Sequence, residues 1–214
     1  MKYKIAYIDE EDTWLQTFYQ TFKGDFDIKK IKIDSTSTLE SVVEAVSDKD
    51  IQGVVTDYLL DETGFSNFNG DQIVEAIKKD RPHFPVIMLT AYEPQAIDQM
   101  DDVNIINGKD DLNGESEEKV EILRSKIKSN IERYHTRISK TINRIEGLVS
   151  KRNKSSLLPE EEEELTKLFI LLDELEPEGK DLPANLVTNK AITAISDFVL
   201  QTKKVLEELK KSNK

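Results

Sequence analysis

Five short, mostly β-branched apolar runs punctuate the first half of the chain: Ile5–Ile8, Ile28–Ile33, Val54–Thr56, Val86–Leu89 and Val103–Ile106. Each has the length of a strand and, apart from the lysines that interrupt Ile28–Ile33, the β-branched character of parallel buried strands. The intervals between them carry apolar residues at helical spacing: Trp14, Leu15, Phe18 and Phe22, then Leu39, Val42, Val43 and Val46, then Ile73, Val74 and Ile77. Alternating strand and helix predict an α/β fold, a five-stranded parallel sheet doubly wound by helices on both faces. In such sheets ligands bind beyond the carboxyl ends of the strands, so the residues just after each strand are the first place to look for chemistry.

From about residue 115 the pattern becomes helical only. Ile127, Ile131, Tyr134, Ile138, Ile145 and Leu148 recur at spacings of four and three, with Thr141 as the polar exception, and predict one long helix over about 115–152. At ~1.5 Å per residue it would be on the order of 55 Å long, too long to lie wholly against the first half. Lys151 to Ser156 reads as a turn, and Pro159 followed by Glu160–Glu164 as a helix start, since proline fits a first turn and acids favour its positive end. Helices are expected over about 159–176 and 183–211, the last with Leu186, Ile192, Ile195, Val199, Val205 and Leu209 on one face. The second half is therefore expected to be an all-α helical bundle, either three antiparallel helices or half of a larger bundle completed as a homodimer.

Charge sharpens this division. The 214 residues carry 30 basic and 42 acidic side chains, a net −12. Residues 1–114 hold 11 and 23 of these, so all the excess acid lies there, while 115–214 are neutral. Within the neutral half, residues 119–154 carry 11 basic and 3 acidic groups, suited to pairing with acidic surfaces, either Glu160–Glu164 or the acidic first half. Excess acid argues against general nucleic-acid binding, and the basic stretch shows neither aromatic interleaving nor a helix-turn-helix pattern. The longest notable apolar run, Leu168–Leu172, is far short of a membrane span of roughly 20 residues. No cysteine is present, and no secretory apolar stretch precedes Asp9; both fit a cytoplasmic protein.

The expected strand ends bring together Asp9-Glu10-Glu11-Asp12, Asp57, Thr90-Ala91 and Lys109. Carboxylates gathered at one edge ionise together only with a cation between them, and an oxygen-only ligand set with room for water suits Mg²⁺. A carboxylate there can attack a phosphoryl group, with a hydroxyl and an ammonium contacting its oxygens. These are the parts needed for phosphoryl transfer to an aspartate.

Tyr7-Ile8-Asp9-Glu10-Glu11, Val54-Val55-Thr56-Asp57-Tyr58-Leu59-Leu60, Asn69-Gly70, Pro85-Val86-Ile87-Met88-Leu89-Thr90-Ala91 and Lys109 together resemble the receiver domain of two-component response regulators over about residues 1–114. The resemblance implies a flavodoxin-like receiver domain over 1–114 and a helical C-terminal region over 115–214. It implies that Asp57 is the phosphoacceptor, that Asp9, Glu10, Asp57 and the backbone carbonyl of Leu59 hold Mg²⁺, that Thr90 binds a phosphoryl oxygen, and that Lys109 pairs with the phosphoryl group. The phosphodonor would be a histidine kinase or phosphotransfer protein. The chain would then have no separate turnover as an enzyme and would signal through protein–protein contacts of its helical region with an effector.

The chain departs from the family pattern at several points. Asp110 replaces the proline that usually follows the lysine, Leu59-Leu60 replaces Met-Pro, Ile106 stands where an aromatic is usual, and Asp61–Phe68 lengthen the loop after Asp57. The acceptor chemistry is thus expected without the usual coupling of Thr90 to an aromatic side chain. Two rivals stay open: a phosphoryl relay or reservoir in which His135 of the long helix takes part, and a pseudo-receiver scaffold that binds partners without phosphorylation. Trp14, Leu15, Phe18 and Tyr19 on the first helix are candidates for contact with the kinase.

Overall fold

The computed structural model describes residues 2–61, 64, 66–99, 102–112 and 116–176. They form two compact units, Met1–His135 and a second beginning at Thr136.

The first unit holds strands β1 (Tyr3–Asp9), β2 (Phe26–Lys32), β3 (Gly53–Asp57), β4 (Val86–Thr90) and β5 (Ile106–Gly108). Its helices are α1 (Asp12–Phe22), α2 (Leu39–Val46), α3 (Gly70–Asp80), α4 (Glu93–Gln99) and the start of α5 (Glu117–Arg152). The strands make one sheet in the order β2-β1-β3-β4-β5, and every neighbouring pair is parallel. Alternate residues of the central strands point to opposite faces, and both sets are buried, which is why these strands read as unbroken apolar runs. On one face Ile5, Tyr7, Val55, Ile87 and Leu89 pack with Leu15, Phe18 and Phe22 of α1 and with Val120, Leu123, Ile127 and Ile131 of α5. Right-handed crossovers in this strand order put α2 and α3, which pack side by side, on the other face.

Local signals set the element ends. A capping box of Thr38 and Ser41 starts α2, and at the start of α3 Gln72 Oε1 accepts the Asn69 N–H at 3.0 Å. The fifth strand differs from expectation: Val103–Ile105 form a single 3₁₀ turn and the strand begins at Ile106. The Asp102 carboxylate accepts the Asn104 N–H and closes that turn, leaving Val103 half exposed. The helix α4 follows no apolar stripe, Ala96 being its only buried residue.

In the second unit, the rest of α5 and α6 (Pro159–Leu175) run antiparallel across a turn in which Lys154 and Ser155 donate their N–H groups to the Lys151 carbonyl. Ile145 and Leu148 pack with Leu165 and Leu172. The expected pairing of basic helix with acidic helix is present: Arg144 holds Glu164 through two bonds of 2.7 and 2.6 Å, Lys151 holds Glu161 at 2.6 Å, and Arg152 meets Glu162 at 3.4 Å. The expected helix over 183–211 lies outside the described residues, and with it the third member of the bundle. The apolar stripe of α5, read from sequence as the core of one bundle, is shared: its start belongs to the sheet unit and its end to the hairpin. Among the described residues no helix is long and apolar enough to cross a membrane.

Candidate functional site

Asp9 is the last residue of β1, Asp57 the last of β3 and Thr90 the last of β4, while Lys109 directly follows β5. Parallel pairing fixes their alignment, with Asp57 level with Leu89 and Thr90 level with Gly108. All four are buried, as is Glu10. The Lys109 ammonium reaches Asp57 Oδ2 at 2.6 Å and Asp9 Oδ2 at 2.9 Å, so one cation bridges the ends of three strands. Its other neighbour is the face of Trp14, whose ring centroid lies 4.9 Å away at the start of α1.

The remaining lone pairs are also directed. Asp57 Oδ1 accepts the Tyr58 N–H at 2.8 Å, Asp9 Oδ1 accepts the Glu11 N–H at 3.0 Å, and Asp9 Oδ2 accepts the Tyr7 hydroxyl at 2.6 Å. Burial raises the Asp57 carboxyl to about 6, opposed by the Lys109 ammonium, with the nearby Asp9 charge adding to the rise. Burial, then the Asp9 carboxylate, push the Tyr7 phenol well above its ordinary range, so it stays a donor.

Asp9, Asp57 and Lys109 are thus brought into direct contact as the sequence predicts, and Thr90 takes its place at the neighbouring strand end with its hydroxyl accepting the Tyr92 N–H at 2.9 Å. Glu10 is buried, yet it does not complete a cluster: among the described residues no three acidic or histidine side chains converge as around a metal ion. Instead the lysine stands between two of them. Two buried carboxylates share one ammonium, with the buried Glu10 next to Asp9 in the chain, and carboxylate oxygens are the donor type and charge that a hard divalent cation takes.

The loop after Asp57 closes on itself. Gly70 donates its N–H to the Tyr58 carbonyl at 2.7 Å, and Asn69 Oδ1 accepts from the N–H groups of Leu60 and Asp61. Leu60 and Phe68 are buried, so the lengthened segment is anchored at both ends, and Leu59 is held between Asp57 and this anchor.

Other expectations fall elsewhere. Leu15 and Phe18 are core and not surface; of the proposed kinase contacts only Trp14 and Tyr19 are partly exposed. Ile106, in the usual aromatic position, is partly exposed. His135 stacks on Tyr3, the first residue of β1, with centroids 6.0 Å apart, and bonds Gln52 just before β3 at 3.2 Å. It therefore sits at the amino edge of the sheet, a strand length of roughly 20 Å from the Asp9–Asp57 edge. Sequence reasoning missed Tyr7 and the Trp14–Lys109 contact, because an aromatic residue in a strand or on a helix face reads as core.

No family model matches the chain, and no curated protein matches it. Solved structures similar to it include a response regulator receiver protein from Sinorhizobium medicae, 19% identical, with a TM-score of 0.45 over 61% of this chain and 95% of that one. The BeF3-activated DrrB receiver domain is 20% identical, with a TM-score of 0.45 over 62% of this chain and 99% of that one. The apo receiver domain of nitrogen regulatory protein C is 14% identical, with a TM-score of 0.47 over 63% and 99%. The first unit has the flavodoxin-like doubly wound fold, as its strand order β2-β1-β3-β4-β5 states directly.

Proposed function

We propose that this chain is a two-component response regulator in which Asp57 accepts a phosphoryl group from a phosphohistidine and the helical C-terminal region signals through protein–protein contact. The observation that carries the reading is the Lys109 ammonium held between the buried carboxylates of Asp9 and Asp57. Such a pair is costly to bury and is often replaceable by apolar packing where it only supports a fold. Its position at the carboxyl edge of a parallel sheet gives it a use.

In the transfer, an Asp57 carboxylate oxygen forms the new bond to phosphorus while the phosphorus–nitrogen bond of the donor breaks. The electron pair of that bond goes to the imidazole, which takes a proton on leaving. Lys109, already on Asp57 Oδ2, is placed to pair with a phosphoryl oxygen, and the Thr90 hydroxyl to contact another. The Tyr58 N–H on Oδ1 fixes the plane of the attacking carboxylate. Asp9, Glu10, Asp57 and the Leu59 carbonyl would hold Mg²⁺, whose charge offsets that of the incoming phosphoryl group. Nothing in this chemistry calls for turnover of a separate substrate, so the chain acts as a phosphoacceptor.

Incubation with Mg²⁺ and a small phosphodonor should add one acid-stable, base-labile acyl phosphate, absent in Asp57→Ala. Equal labelling of that variant would overturn the acceptor assignment. Labelling absent from both, with partners bound regardless of Mg²⁺, would favour the constitutive scaffold.

A further inference from the structure

Tyr7 is wholly buried in β1, two residues before Asp9 and on the same face, its ring stacked on Phe18 with centroids 4.0 Å apart. Phenylalanine or leucine would fill that place. The phenol instead brings one polar atom into the core and donates it to Asp9 Oδ2 at 2.6 Å. The same oxygen receives the Lys109 ammonium at 2.9 Å, and the other, Oδ1, receives the Glu11 N–H at 3.0 Å.

The terminal torsion of an aspartate is broad and loosely held on its own. Donors therefore decide which way the carboxylate faces. Here two of them fasten Oδ2 toward the core and the lysine, which leaves Oδ1, with a single backbone donor, as the less encumbered oxygen.

We infer that Tyr7 is a positioning residue for the divalent cation: its hydroxyl locks the Asp9 carboxylate so that Oδ1 remains available as a ligand. The inference rests on the reading of Asp9 as a cation ligand. Without the hydroxyl, Lys109 is the only side-chain donor on Asp9, and the carboxylate is free to swing both oxygens toward it. Removing the hydrogen-bond partner of a metal ligand typically lowers metal affinity about 10–100-fold.

The test is a MgCl₂ titration of the full chain, followed by the fluorescence of Trp14, the only tryptophan, and by calorimetry. Tyr7→Phe should raise the Mg²⁺ Kd by about tenfold or more; Tyr7→Leu, carried in parallel, should do the same if the first variant folds poorly. Phe18→Leu disturbs the stack and keeps the hydroxyl, so it should lower the thermal midpoint and leave the Kd unmoved. In an Asp9→Asn background, Tyr7→Phe should have no further effect. An unchanged Kd in Tyr7→Phe, an equal shift in Phe18→Leu, or an effect that survives Asp9→Asn would each overturn the inference. If the unaltered chain binds no Mg²⁺, or Asp9→Asn binds it equally well, the reading of Asp9 as a ligand fails instead.

Discussion

Gly70 lies so close to the main-chain carbonyl of Asp57 that a Cβ on it would come within 1.9 Å of that oxygen. The contact is backbone on backbone, so no side chain can swing aside to relieve it. Gly70→Ala should therefore move the start of α3 or the end of β3, lowering stability by about 1–3 kcal/mol as overpacking does. Urea unfolding checks the first effect. On the proposed reading, phosphoryl uptake should fall further than that loss accounts for, because the displaced atoms belong to the proposed acceptor, Asp57.

Lys109 is the only side-chain cation bonded to the two buried carboxylates in the described structure. Removing it leaves like charges buried and unpaired, so Lys109→Met should cost about 3–5 kcal/mol in unfolding free energy. A loss below 1 kcal/mol at neutral pH would show that the site is far wetter than its burial implies.

The raised carboxyl of Asp57 gives a pH signature. Its value is about 6 in the folded chain, against ~3.9 when unfolded. Above pH 6 both states are ionised and the folded one bears the buried charge; between 6 and 4 the folded state takes up a proton that the unfolded state does not. Stability from this group therefore rises as pH falls through 6 and is complete below about 4. Asp57→Asn lacks the titration. In metal-free buffer it should be more stable than the unaltered chain at pH 8 by up to about 3 kcal/mol, with the two converging by pH 4, as thermal unfolding across pH would reveal.

Much of this was legible from residue order. Strands buried on both faces announce themselves as apolar runs, and reading the residue after a run found Asp9, Asp57 and Thr90, with Lys109 three residues beyond the fifth run. The fifth strand was misplaced by a local contest: Val103 and Ile105 have β-branched side chains, but the Asp102 carboxylate turns the backbone there into a 3₁₀ turn. Helix α4 left no periodic trace because it buries only Ala96. The α5 stripe was visible as a stripe, whereas its division between two cores depends on which surfaces surround it, and spacing does not encode that. Tyr7 was hidden for the same kind of reason, since its ring satisfies the apolar pattern and its hydroxyl matters only once Asp9 is in place.

That division of α5 makes a prediction about truncation. A chain ending at residue 114 would strip Val120, Leu123, Ile127 and Ile131 from the core face formed with α1. It should lose near-ultraviolet dichroism and amide protection, while a chain ending at Lys140 keeps both. Equal protection of the two truncated chains would place the folding boundary before α5.

Among the described residues β2 has no strand on its outer side, and its sequence from Asp27 to Lys32 exposes Asp27, Lys30 and Lys32, with Lys29 partly covered. A second molecule adding its own β2 to this edge in parallel register would set ammonium groups beside ammonium groups. The lysines that make β2 the least apolar strand of the sheet thus act as a guard against edge-to-edge aggregation, and exchanging Lys30 and Lys32 for threonine would remove it.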